Sequence, residues 1–104
     1  MITALVQFNL PTAISREKAA ELFAQTAPMY REMQGLVRKY YLLSEDGRTA
    51  GGAYLWESRD AAEQVYTPEW RKYIAERYGS EPAITYFESP VVVDNLPGTI
   101  LIDS

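Results

Sequence analysis

The sequence predicts an α+β fold of the ferredoxin-like kind, in the order βαββαβ, with both helices on one face of an antiparallel sheet. Strand-like runs and helix-like runs follow one another in that order along the chain. Asp46-Gly47 separates the two central strand-like runs, which is the strongest short-range signal for a hairpin. Ser15, Ser58 and Thr67 each stand where a side-chain oxygen can cap the first turn of a helix.

Residues 2–8 (ITALVQF) form the first predicted strand, and Pro11 marks the loop after it. Ser15 then caps a helix over about 16–33, in which Ala19, Leu22, Phe23, Tyr30 and Met33 recur near helical spacing. Pro28 is expected to kink or interrupt that helix, and Gly35 to stop it. Strands over 36–44 (LVRKYYLLS) and 49–57 (TAGGAYLWE) follow, joined by a type I′ turn with positive φ at both central residues. Ser58 opens the helix SRDAAEQVY, and Thr67-Pro68 opens PEWRKYIAERY, which ends at Gly79. A last strand over 83–93 is interrupted by Pro90, which suits an edge or a bulge. Residues 1–94 read as one domain. Residues 95–104 are a tail whose Ile100-Leu101-Ile102 is too apolar for a free end, and it is expected to dock on the domain or on a partner subunit.

The composition narrows the chemistry. The 104 residues are 47% apolar and 23% charged, which is ordinary globular usage. A net charge of −4 gives no electrostatic case for nucleic acid or an anionic membrane. The N-terminal run carries no signal-peptide pattern and no stretch long enough to span a bilayer, so a cytoplasmic location is expected. There is no Cys and no His, but there are eight Tyr, two Trp and three Phe. Thiolate catalysis, Cys-ligated zinc, Ser-His-Asp triads and His-ligated iron or haem all fall away. No metal site and no cofactor are expected. Any chemistry must come from Tyr, Lys, Arg, carboxylates or the substrate itself.

The hairpin register points to a site. With Asp46-Gly47 at the turn, Lys39 faces Tyr54, Tyr41 faces Gly52, and Val37 faces Trp56. Val37, Lys39, Tyr41, Tyr54 and Trp56 therefore share one surface, while Leu36, Arg38, Tyr40, Leu42, Ala53 and Leu55 share the other. Both surfaces are largely apolar, yet helices can cover only one. The other is expected to meet a second subunit in a symmetric homodimer.

Lys39 among aromatic rings is a candidate catalytic residue, because desolvation lowers a lysine's pKa and ring faces attract its cation. The alternative is a lysine that snorkels to the sheet edge while tyrosines fill the core. Tyr54 is the second catalytic candidate. Tyr41, Trp56, Trp70, Tyr73 and Gly52 are the candidate substrate-binding residues, the glycine by vacating space opposite Tyr41. The Trp70, Tyr73, Ile74, Tyr78 stripe equally suits plain core packing, with Arg71 and Arg77 near a rim. Glu88 is the carboxylate of most interest, and Gln7 and Asn9 could offer amides.

The run Gly35-Leu36-Val37-Arg38-Lys39-Tyr40-Tyr41, then Ala50-Gly51-Gly52-Ala53-Tyr54-Leu55-Trp56, resembles the YdhR-type mono-oxygenase family of the dimeric α+β barrel superfamily. The shared pattern is a Gly before strand two, a Lys followed two residues on by an aromatic, and A-G-G-x-Y-L-aromatic on strand three. It maps onto Lys39, Tyr41, Gly51, Gly52, Tyr54 and Trp56. The resemblance implies a ferredoxin-like subunit whose sheet pairs with that of a second subunit, and a pocket between sheet and helices. It also implies oxidation of aromatic polyketide-like or quinol substrates by molecular oxygen without metal, haem or flavin. The Asn-Trp-Tyr set of the antibiotic-biosynthesis branch has no counterpart here, since Asn9 and Asn95 lie in other contexts. The His of the haem-degrading branch is missing outright.

The expected function is a cofactor-independent monooxygenase acting on an aromatic, phenolic or quinol-like small molecule. A non-catalytic binder or sensor of small aromatic ligands, and an isomerase or cyclase on the same fold, remain as alternatives.

Overall fold

Burial alternates along the first strand, with Ile2, Ala4, Val6 and Phe8 inside and their neighbours half-buried or exposed. Period-two patterning of this kind directs one face of a sheet into the core. The computed structural model describes residues 1–102. Its elements are β1 (Ile2–Asn9), α1 (Arg16–Tyr30), β2 (Leu36–Leu43), β3 (Thr49–Trp56), α2 (Arg59–Val65), α3 (Pro68–Tyr78), β4 (Ala83–Glu88), β5 (Val91–Asp94) and β6 (Thr99–Ile102). The four-stranded antiparallel sheet has the order β2-β3-β1-β4, and β5 and β6 make a separate two-stranded sheet. This is the ferredoxin-like α+β arrangement, with the second crossover made of two helices.

Local chemistry accounts for the helix ends. The hydroxyl oxygens of Ser15, Ser58 and Thr67 accept from the backbone N–H of Lys18, Ala61 and Trp70, and Gly79 closes α3 in the left-handed conformation. α1 is not interrupted at Pro28 but runs on to Tyr30. Ala24 and Pro28 are exposed, so the Ala24 carbonyl that Pro28 leaves without an N–H donor can be hydrated. Ala19, Phe23, Thr26 and Tyr30 form the buried stripe of α1. They pack with Trp70, Ile74 and Tyr78 of α3 over the inner residues of β1 and β3, so the helices share one face of the sheet.

The β2–β3 connection differs from the expected type I′ turn. Among the described residues Glu32 is the only non-glycine residue with positive φ, so Asp46 does not have it. Instead Gly47 N–H donates to the Ser44 carbonyl at 2.9 Å, and Gly47 alone is left-handed at φ 72°. The Asp46 carboxylate accepts from the Ser44 hydroxyl at 2.7 Å and from Arg48 N–H at 3.0 Å, which stabilises this four-residue loop. Parity survives, and Lys39 faces Tyr54, Tyr41 faces Gly52 and Leu43 faces Ala50 as expected. At the other end of β2 a bulge between Leu36 and Arg38 places Leu36, not Val37, opposite Trp56. Leu36 packs against the core and Val37 turns outward, exchanging the faces expected for them.

The predicted last strand also divides. β4 pairs with β1 and ends at Glu88, and after Pro90 the chain pairs β5 with β6 instead. Val92 and Val93 lie beside Thr3, Arg38, Tyr40, Ala53 and Leu55, so this hairpin borders the face of the sheet away from the helices. Arg38 forms an ion pair with the buried Asp94 there. The tail expected over 95–104 is described as far as Ile102, with Leu101 half-buried and Ile100 and Ile102 exposed; residues 103 and 104 lie outside the described residues.

Candidate functional site

β2 delivers Lys39 and Tyr41 to the helix-covered face, and β3 delivers Tyr54 beside them. α1 lays Phe23, Thr26 and Tyr30 over that pair, and α3 closes the far side with Trp70, Tyr73, Ile74 and Tyr78. Together with Val6, Phe8 and Gly51 these residues line a cavity of about 20 Å³, the room one water molecule occupies.

Lys39 dominates the cavity's electrostatics. Its Nζ lies 3.4 Å from the centroid of the Tyr30 ring, 3.7 Å from that of Tyr41 and 4.6 Å from that of Tyr54. Among the described residues it carries no hydrogen bond and no ion pair; ring faces are its only partners. Burial lowers its pKa from the ordinary 10.5 to about 7, against the attraction of the rings for the ammonium form. Desolvation acts oppositely on the phenols. It pushes Tyr41 up to about 12 and raises Tyr30, Tyr54 and Tyr66 as well. Near neutral pH these tyrosines are O–H donors, and the amine is the chamber's proton acceptor.

The phenols are held in place. Trp70 Nε1 donates to Tyr30 OH at 3.1 Å. The Thr26 hydroxyl lies 3.2 Å from the Phe23 carbonyl and 2.8 Å from Tyr41 OH. Its single proton serves the carbonyl, so Tyr41 is the donor to Thr26. The Phe23 and Tyr41 rings stack at 4.9 Å. Gly52 is required by close approach, because a Cβ there would stand 2.9 Å from Tyr54 Cε1 and 3.2 Å from Lys39 Cε.

Lys39, Tyr41, Tyr54, Trp70 and Tyr73 therefore come together around one cavity. Trp56 does not: it is fully buried behind Tyr54, stacked on it at 6.0 Å, and donates from Nε1 to Tyr66 OH at 3.1 Å. Gly52 is likewise not a wall but the gap that admits Lys39 and Tyr54. Gln7, Asn9 and Glu88 are exposed strand residues outside the chamber. Arg77 ties α3 to α1 by donating to the Leu22 carbonyl at 2.9 Å and to Gln25 Oε1 at 3.1 Å. Arg71 lines a groove on the outer side of α3. Tyr30, Thr26 and Phe23 belong to the site without having been singled out for it. Their signal is positional: spaced three and four apart, they form one stripe on α1, with a threonine among aromatics.

The chamber adjoins the surface along the seam between α1 and β2. A groove of about 280 Å³ there is lined by Ala27, Tyr30, Arg31, Glu32, Leu36, Val37, Arg38, Lys39 and Tyr41. Lys39 thus borders both the closed cavity and the open groove. Among the described residues no group of three or more Asp or Glu converges as a metal site would require.

The family model "Putative mono-oxygenase ydhR" matches residues 5–87. The chain belongs to the ydhR family. No curated protein matches the sequence significantly. Among solved structures, the monooxygenase from the gene ActVA-Orf6 of Streptomyces coelicolor, in complex with nanaomycin D, superposes with a TM-score of 0.63 at 22% identity, over 85% of this chain and 86% of that one. SnoaB, a cofactor-independent oxygenase from Streptomyces nogalater, gives 0.61 at 21% identity over 85% and 91%. An ethyl tert-butyl ether D family protein from Bacillus halodurans gives 0.58 at 15% identity over 86% and 99%. At these identities the likeness is one of fold, shared by this ydhR-family chain with proteins of different descriptions. Among the described residues no helix is long and apolar enough to cross a membrane.

Proposed function

We propose that the protein is a cofactor-independent monooxygenase acting on a small phenolic or quinol-like aromatic molecule in the Lys39 chamber. The observation that carries this reading is a lysine amine held against three tyrosine rings with no carboxylate to neutralise it. Such a group can accept the proton of a phenol and then stay beside the phenolate as its counter-cation. Aromatic walls suit a flat ring, and two of the solved structures similar in fold are described as oxygenases.

The substrate does the redox work. Deprotonation yields an electron-rich anion that passes an electron to O₂, and the two radicals combine at a ring carbon. For a substrate with a ring CH₂, or its phenolic tautomer, one oxygen atom becomes a carbonyl. The other leaves as water with the two hydrogens, so that R₂CH₂ and O₂ give R₂C=O and H₂O. Lys39 holds and moves the first proton. Tyr54 remains a neutral donor to the oxygen of the anion, and Tyr41, Trp70 and Tyr73 exclude water. A single aromatic ring exceeds the cavity of about 20 Å³, so binding displaces wall side chains. Tyr73, 39% exposed, is a wall with solvent behind it.

Oxygen uptake with a panel of naphthols, hydroquinones and anthrones tests this reading. Lys39→Ala is expected to lower turnover by about 10²-fold or more with the fold intact by circular dichroism. Unchanged turnover in that variant removes the lysine's role. Binding without oxygen uptake across the panel would instead indicate a binder, and a product of unchanged mass an isomerase or cyclase.

The outer face supports a symmetric homodimer. Tyr40, Phe87 and Val93 are 56%, 52% and 60% exposed on or beside it. Light scattering that returns the mass of a single chain at working concentration would overturn that.

A further inference from the structure

We propose that Lys39 is also a nucleophile for carbonyl compounds, capturing a small neutral aldehyde or ketone as an imine at the groove between α1 and β2. This uses the lysine of the proposed oxygenase site but requires neither oxygen nor a phenolic substrate.

The chain has three lysines, Lys18, Lys39 and Lys72. Lys18 and Lys72 are 54% and 77% exposed and stand 4.0 and 3.9 Å from Glu21 and Glu76. Each therefore stands in water with a carboxylate beside it. Lys39 has no such neighbour. Tyr30, Tyr41 and Tyr54 face its Nζ from α1, β2 and β3, and α3 adds Trp70 and Tyr73; none of these is a carboxylate. A desolvated amine among apolar walls is the usual setting of an imine-forming lysine. Burial leaves a large share of Lys39 unprotonated at pH 7 to 8.

Space adjoins the lysine. Lys39 borders an open groove of about 280 Å³ between α1 and β2, large enough for a ligand of several heavy atoms. Arg31 and Glu32 offset one another at its rim, and Arg38 is committed to Asp94, so the groove favours an uncharged carbonyl compound. The inner cavity of about 20 Å³ has room for the water that must leave.

The step balances. The Nζ lone pair attacks the carbonyl carbon, the C=O π pair moves to oxygen, and a proton passes from nitrogen to that oxygen to give a carbinolamine. The C–O bond then breaks with a second proton from solvent in the groove, releasing water and forming C=N. The iminium proton returns to solvent. Amine and aldehyde give imine and water, with no oxidant or reductant consumed.

The test is reductive trapping with propanal or benzaldehyde and sodium cyanoborohydride at pH 7.5 under nitrogen, with adducts located by peptide mapping. Lys39 is expected to acquire its adduct at least 10-fold faster than Lys18 or Lys72, with the Met1 amine mapped separately. Its rate should reach half its maximum near pH 7. The preference should vanish in urea, where all three lysines become equivalent. Labelling of Lys39 no faster than Lys18 and Lys72, or a preference that persists in urea, overturns the proposal. Trapping at Lys39 with no oxygen uptake by the natural chain on the phenol panel supports this proposal and overturns only the oxygenase reading. Trapping absent in the natural chain with uptake intact overturns only this one.

Discussion

Arg38 and Lys39 are consecutive on β2, and the sheet treats them in opposite ways. Arg38 points to the outer face, pairs with Asp94 of β5 and bonds to Tyr40 OH at 3.3 Å. Lys39 points under the helices and meets ring faces alone. One cation anchors a hairpin, and the other is a desolvated amine. Guanidinium suits the first role because its fixed fork matches a carboxylate and never gives up its proton. Ammonium suits the second because burial can strip it. Strand alternation alone separates a structural ion pair from the proposed chemical site across a single peptide bond.

The contrast can be broken from either side. Trp56→Ala should do the most damage, costing about 3–5 kcal/mol in denaturant unfolding, since Trp56 backs the helix-covered face with no exposure at all. A loss below 1 kcal/mol would mean that this face does not carry the fold.

Lys39→Met addresses the pH dependence. In the unfolded chain Lys39 keeps its proton to about 10.5, whereas in the fold it loses it near 7. Between those values the unfolded state binds more protons, so the natural chain gains stability as pH rises. The slope is at most about 1.4 kcal/mol per pH unit. Lys39→Met should abolish it, and its advantage over the natural chain should be greatest at pH 6 and shrink towards pH 9.5. Parallel stability curves for the two chains would show that Lys39 is not desolvated.

On the outer face, Asp94→Asn removes the partner of Arg38 while preserving an acceptor for Leu96 N–H. A loss of about 1–3 kcal/mol is expected, because the carboxylate is 7% exposed and the guanidinium 34%. Amide exchange over residues 91–102 should accelerate selectively; uniform acceleration would place the effect elsewhere. Thr26→Val deletes the acceptor of Tyr41 OH and should cost about 0.5–1.5 kcal/mol. It should also loosen the Phe23–Tyr41 stack, seen as weaker near-ultraviolet circular dichroism. Tyr40→Ala is expected to change the stability of the single chain by no more than about 0.5 kcal/mol. Its visible effect should be a shift of the oligomeric state in sedimentation.

Much of the scaffold was legible in local chemistry. Ser15, Ser58 and Thr67 cap helices because a hydroxyl before a helical run has a free N–H to satisfy, whatever the rest of the chain does. The pairing of Lys39 with Tyr54 follows from loop parity, which a two-residue and a four-residue loop share. The bulge at Leu36 and Arg38 left no such mark. It is set by the fit of Leu36 against the core beside Trp56, a contact between distant segments. Phe23 and Tyr30 were legible as part of an apolar stripe but not as site residues, and Thr26 not at all, because only the packing of α1 on β2 brings them to Lys39. Asp94 carried no signal either, since its partner is 56 residues away.

The sequence by itself determined the element order as far as β4, the two sets of strand residues apart from Leu36 and Val37, and a chemistry without thiol or imidazole. Those depend on residue type and on a period of two, which neighbours along the chain establish. The tertiary structure decided which set lies under the helices, so that Lys39 is caged and Arg38 is free to pair. It also placed Trp56 behind the chamber rather than in its wall, and turned the chain after Pro90 away from the main sheet. These outcomes rest on burial between segments far apart in sequence, where the better-packed of two apolar faces wins and no local pattern records the choice.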